Sequence, residues 1–79
     1  PQYEVFLPLE ALLDLDRERQ RLGRELEAVG QELDRVTALL ANERFTARAP
    51  EAVVAKEREK LLAYGEQRAR LEARLAELS

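Results

Sequence analysis

Arginine carries what chemistry this sequence offers. Arg17, Arg21, Arg24 and Arg35 recur at spacings of four, three and eleven residues, which puts them on one face of a helix. Arg44, Arg48, Lys56 and Arg58 gather around Phe45, and Arg70 and Arg74 bring positive charge back further along the chain. A guanidinium is a planar, permanently charged donor that pairs with phosphate oxygens. Separated basic surfaces of this kind suit local contacts with a nucleic-acid backbone. On composition alone the same residues read as solvated cations on a charge-rich helix. Acidic residues outnumber basic ones, 16 to 13, for a net charge of −3, which argues against a generic polyanion binder.

Other chemistries find little support. Cysteine and histidine are absent, and with them the usual zinc ligands, a thiol nucleophile, an imidazole base and any disulfide. Carboxylates are plentiful but spread along helix flanks, whereas paired-carboxylate catalysis needs two of them facing across a cleft. Gly23, Gly30 and Gly65 occur singly, so no phosphate-cradling loop is present, and no acidic spacing matches a metal site. No catalytic, cofactor-binding or metal-binding residue is therefore expected within these 79 residues. No apolar run approaches the ~18 residues of a membrane span, so no membrane partner is expected. The absence of an initiator Met, with an apolar opening, reads as a piece of something larger.

Along the chain, three elements emerge to position the arginines. Residues 3–9 alternate Tyr3, Val5 and Leu7 against Glu4 and Phe6, a two-residue period that suits a strand-like connector spanning residues 1–13. From Asp14 to Ala41 the period becomes helical. Leu26, Leu33 and Leu40 occupy the a positions of a heptad, and Leu15, Leu22, Val29 and Val36 the d positions. Asp14 is expected to cap this helix, Asp16 and Glu18 to favour its positive end, and Asn42 to close it in the left-handed conformation. Residues 42–50 break the pattern as a tip loop. Pro50 fits the first turn of a second helix over 50–78, with seam residues Val54, Leu61, Tyr64, Leu71, Leu75 and Leu78. The expected fold is all-α: an antiparallel two-helix coiled-coil hairpin, residues 14–79, roughly 40 Å long, with a short N-terminal extended segment.

Charges flanking the seam point to the same hairpin. Run antiparallel, Glu18 pairs with Arg74, Glu25 with Gln67 and Glu32 with Lys60, each pair centred on residue 46. Exposed pairs contribute only ~0.2–1 kcal/mol, so these would choose register while leucines supply stability. Arg19, Glu57 and Arg68 interrupt the seam, where polar residues cost stability and fix alignment. Gly30 and Gly65 should lie near one another, which leaves open either a close backbone approach or tolerated surface drift.

The tip carries the most specific signal. Asn42, Phe45, the Arg48-Ala49-Pro50 step, the Val53-Val54 pair and the run from Glu57 through Lys60 to Leu61 resemble the C-terminal arm of valyl-tRNA synthetases. Upstream, residues 3–22 look like that family's strand, Pro-Leu and Leu-x-Asp entry into the arm. The Arg bias and the three helical glycines depart from its usual Lys-rich, glycine-poor helices. The resemblance implies a parent enzyme, cytoplasmic and monomeric, that activates valine with ATP and esterifies it to tRNA(Val) using domains absent here. It also implies an arm that reaches the outer corner of the tRNA, where the D and T loops meet. Arg17, Arg21, Arg24, Arg70 and Arg74 are the expected RNA-facing residues, chosen by position on the arm. The tip motif reads equally as structural, closing the hairpin through Phe45, Val53 and Val54. A structural or protein-interaction coiled coil, associating through Leu39 and Leu62, is the alternative function.

Overall fold

A computed structural model describes residues 8–78. Three helices follow in order: α1, Leu9–Ala41; α2, Glu43–Arg48; and α3, Glu51–Leu78. The strand-like reading of residues 3–7 lies outside the described residues. Laid end to end these helices would span roughly 100 Å at 1.5 Å per residue, yet the molecule measures 71 × 16 × 15 Å. The difference is taken up by α1 and α3 lying against one another.

Both long helices start immediately after a proline. The Pro8 carbonyl accepts from the amides of Ala11 and Leu12 at 2.9 and 3.2 Å, and the Pro50 carbonyl from Val53 and Val54 at the same distances. A fixed φ near −65° prepares the chain for the helix that follows. This moves two expected boundaries. α1 starts at Leu9, not Asp14, so residues 9–13 are helical and not part of an extended connector. Asp14 is no cap, and Asp16 and Glu18 sit beyond the first turn, where Glu10 is the acidic residue. Leucines at 9, 12, 13 and 15 are good helix formers, and once Pro8 supplies the start nothing in 9–13 opposes them. α3 likewise begins at Glu51, with Pro50 just outside it.

The tip is a short helix, not an irregular loop. Asn42 is extended (φ −83°, ψ 108°), not left-handed, and no described residue has a positive φ. Its side chain explains the difference: Oδ1 accepts from the Arg44 amide at 3.0 Å. Asn42 thus caps the start of α2 while its own amide bonds back to the Leu39 carbonyl. One residue closes one helix and opens the next.

The core is a single stripe. Among the described residues, Leu22, Val29, Val36 and Val54 are its buried apolar side chains, Val36 being fully enclosed. Burying each contributes about 1.5–3 kcal/mol. All three from α1 are heptad d positions, whereas Leu26, Leu33 and Leu40 at a are half-buried, as are Glu18, Glu25, Glu32 and Leu39 on the other shoulder. On α1, then, d is buried more deeply than a. From α3, Leu61, Tyr64, Leu71, Leu75 and Leu78 are half-buried.

Polar residues on the seam behave differently from one another. Arg19 stays exposed and its Nε donates to the Leu78 carbonyl at 2.7 Å, satisfying an orphan acceptor at the end of α3 with a positive group. Arg68 is exposed and pairs with Glu72 at 3.4 Å. Glu57 is buried (9% exposed); Lys60 reaches its Oε1 at 3.1 Å while Oε2 has no partner. A Cβ built on Gly30 or Gly65 meets nothing within 4 Å, so no close backbone approach explains these glycines.

Candidate nucleic-acid interface

Every arginine on the shaft is exposed, and what distinguishes one from another is its neighbour. Arg17 lies 3.7 Å from Asp14. Arg21 is held from two sides, by a forked pair of hydrogen bonds to Glu18 at 2.9 and 2.6 Å and by Glu25 at 2.5 Å. Arg74 is 3.4 Å from Glu77. Outside the expected RNA-facing set, Arg35 pairs with Glu32 at 2.7 Å. All of these partners are three or four residues away on the same helix, where side chains are stacked one turn apart.

Arg24 and Arg70 stand apart, with no ion pair or side-chain hydrogen bond among the described residues. Contacts between the helices place them at neighbouring levels of the shaft. Arg19 meets Leu78, and a shallow groove next along is lined by Leu26, Glu27, Gly30, Asp34, Arg68 and Glu72. Arg24 sits between these levels on α1, and Arg70 is one turn or less from the groove on α3. Of the five expected residues, these two are available to a phosphate without first giving up a carboxylate.

The expected ladder of cross-helix ion pairs does not form. Glu18 and Glu25 bond Arg21, Glu32 bonds Arg35 and Lys60 bonds Glu57. A partner one turn away costs less side-chain entropy than one on another helix. Glu18 still responds to its expected mate: its carboxyl is held below the usual range first by the Arg21 hydrogen bond, then by the positive charges of Arg21 and, across the interface, Arg74. The Arg21 and Arg35 guanidiniums are pushed further above their ordinary range by Glu18 and Glu32 respectively.

At the tip, Phe45 is half-buried and Val53 is 42% exposed. Arg44, Arg48, Lys56 and Arg58, near them in the chain, are exposed and without ion pairs among the described residues. The sequence marks this cluster, but the expected RNA-facing set omits it. The overlooked signal is spacing, since neither Arg44 nor Arg58 has an acidic residue three or four positions away in either direction.

No helix among the described residues is long and apolar enough to cross a membrane, and no grouping of acidic side chains among them suits a metal ion.

Residues 14–79 match the family described as the valyl tRNA synthetase tRNA binding arm. Among curated proteins, a valine–tRNA ligase of Listeria innocua is 51% identical over 75 residues, covering 95% of this chain and 8% of the relative. That of Francisella tularensis is 51% identical over 63 residues, covering 80% of this chain and 7% of the relative. That of Carboxydothermus hydrogenoformans is 45% identical over 75 residues, covering 95% and 8%. The chain thus spans less than a tenth of the length of these relatives. No solved structure matches it.

Proposed function

This chain belongs to the valyl-tRNA synthetase tRNA-binding-arm family, and on that basis we propose that it serves as the tRNA-contacting arm of a valine–tRNA ligase. The observation that carries the reading is the family match over residues 14–79, on a chain whose two long helices leave their arginines exposed. The whole enzyme, cytoplasmic and monomeric, joins valine to tRNA(Val) at the expense of ATP. Valine and ATP are handled by the rest of it, since this chain offers only single helical glycines.

The arm is an antiparallel coiled-coil hairpin. Supporting this are the Arg19–Leu78 hydrogen bond, the groove that sets Leu26 and Gly30 beside Arg68 and Glu72, and the influence of Glu57 on Arg35. Partners on α3 fall in number as those on α1 rise. Such a rod holds its side chains at fixed distances from the enzyme body, so charges along it meet the tRNA together.

The arm reaches the outer corner of the tRNA, where the D and T loops meet, and contacts backbone through Arg17, Arg21, Arg24, Arg70 and Arg74. Arg24 and Arg70 engage phosphates directly. Arg17, Arg21 and Arg74 exchange a carboxylate for a phosphate, and each exposed pair surrendered costs only ~0.2–1 kcal/mol. These contacts raise affinity and orient the acceptor end without reading sequence, because phosphates carry none.

The test compares the full-length protein with a version lacking residues 14–79, measuring tRNA(Val) affinity across a salt series. The intact protein should bind more tightly and with a steeper salt dependence; equal affinity at every salt concentration refutes the arm's role. Arg24→Gln with Arg70→Gln should lower the slope of log K against log[salt] by about 1.5, on the order of 0.7–0.9 for each phosphate no longer neutralised. Leu62, 70% exposed, favours a second reading in which the rod associates with a copy of itself; concentration-independent sedimentation excludes it.

A further inference from the structure

The basic residues of this molecule differ in whether a carboxylate holds them, and apart from Arg24 and Arg70 on the shaft the exposed ones without any partner lie towards the tip. Along the shaft, Arg17, Arg21, Arg35, Arg68 and Arg74 each hold a carboxylate three or four residues away. At the tip, Arg44, Arg48, Lys56 and Arg58 hold none among the described residues. Spacing is the cause for the two central ones, since Arg44 and Arg58 have no acidic neighbour one turn away. For Arg48, Glu51 lies three residues on but across the break at Ala49 and Pro50. Of the acids in this stretch, Glu43 and Glu51 stand in the first turns of α2 and α3, where the positive helix ends offset their charge; Glu57 is bonded by Lys60, and Glu59 is exposed and bonds none of these four cations.

The scaffold under these cations is ordered by side-chain chemistry. Asn42 Oδ1 caps α2, the Thr46 hydroxyl donates back to the Glu43 carbonyl at 3.3 Å, and the Ala49 amide bonds the Phe45 carbonyl at 2.8 Å. Arg44 and Arg48, one turn apart on α2, share a face. Phe45, on the same short helix, is half-buried.

We propose that the tip is a second contact surface for the sugar–phosphate backbone of the same RNA, with Arg44 and Arg58 as its principal charges and Arg48 and Lys56 beside them. The proposal rests on the reading of this chain as a tRNA-binding arm. An unpaired guanidinium gives up no intramolecular partner when it meets a phosphate, so its full charge is available to displace counterions. Ala41, where α1 ends, lies roughly 25 Å along the helix axis from Arg24. Contacts at two levels that far apart fix the direction of the rod on the RNA, which a single patch does not.

The experiment uses the full-length protein, with a tRNA(Val) transcript as probe and affinity measured across a KCl series. Arg44→Gln with Arg58→Gln should reduce the salt slope by about 1.5, on the order of 0.7–0.9 for each phosphate, while helicity by circular dichroism stays unchanged. Arg44→Lys with Arg58→Lys should retain the wild-type slope. Arg68→Gln, outside both sets of proposed contacts, should also leave the slope unchanged. A wild-type slope in the glutamine variant, with the deletion of residues 14–79 still weakening binding, overturns the tip proposal and leaves the arm reading standing. No effect from the deletion overturns both. A weakening that lysine does not restore assigns Arg44 and Arg58 a structural role and overturns the charge-based one.

Discussion

Glu18 shows how much a single side chain on this surface reports. It bonds Arg21 one turn away and also feels Arg74 across the interface. Its folded-state pKa is depressed, so its contribution is present above the unfolded value and is lost as pH falls through the folded one. Titration followed by carboxyl-carbon NMR should give Glu18 a midpoint below the ordinary glutamate range, and Arg21→Gln should move it back upward. A midpoint indifferent to Arg21 would mean that this hydrogen bond does not persist in solution. Glu57 is the opposite case, a buried seam carboxylate with one oxygen unpartnered, a polar interruption that favours one alignment of the two helices over slipped ones at a cost in stability.

The helices themselves rest on sparse packing, and their glycines are the clearest excess cost. Gly30 and Gly65 lie inside α1 and α3, and an added Cβ meets nothing at either. Alanine loses less backbone entropy in a helix interior, by about 1 kcal/mol per site. Gly30→Ala with Gly65→Ala should therefore stabilise the molecule by about 2 kcal/mol in urea denaturation, the two sites adding. A neutral or destabilising result would reveal a demand at these positions that the surrounding geometry does not show. Element boundaries follow the same local logic. Heptad spacing located α1 and α3, because a 3.6-residue period is a local property of the chain. It missed α2, because six residues are too few for a period, and there the Asn42 cap and the turn chemistry decided.

At the scale of the whole molecule, stability depends on α1 and α3 meeting. Only four apolar side chains are buried among the described residues, so neither helix gains enough from its own residues to be independent of the other. Val36 is the position to test, since it is fully enclosed while the seam leucine Leu33 is only half-buried. Val36→Asp places an unpaired charge on the contact line, a cost of several kcal/mol. Helicity should fall in both long helices together, and tRNA affinity of the full-length protein should fall with it. Retained helicity with a wild-type melting temperature would mean that the stripe is not what holds the rod together.

Helical character, heptad positions and the break after Ala41 were legible in the chain alone. So was the resemblance at the tip that the family match bears out. These are short-range properties, carried by spacings of a few residues. It took the folded arrangement to establish that d outranks a in burial on α1, that Arg19 reaches the end of α3, that Glu57 is enclosed while Arg68 escapes, and that Arg24 and Arg70 come to neighbouring levels. Each of these depends on how one helix is rotated and advanced against the other. Residues far apart in the chain set that relation together, and no local pattern records it.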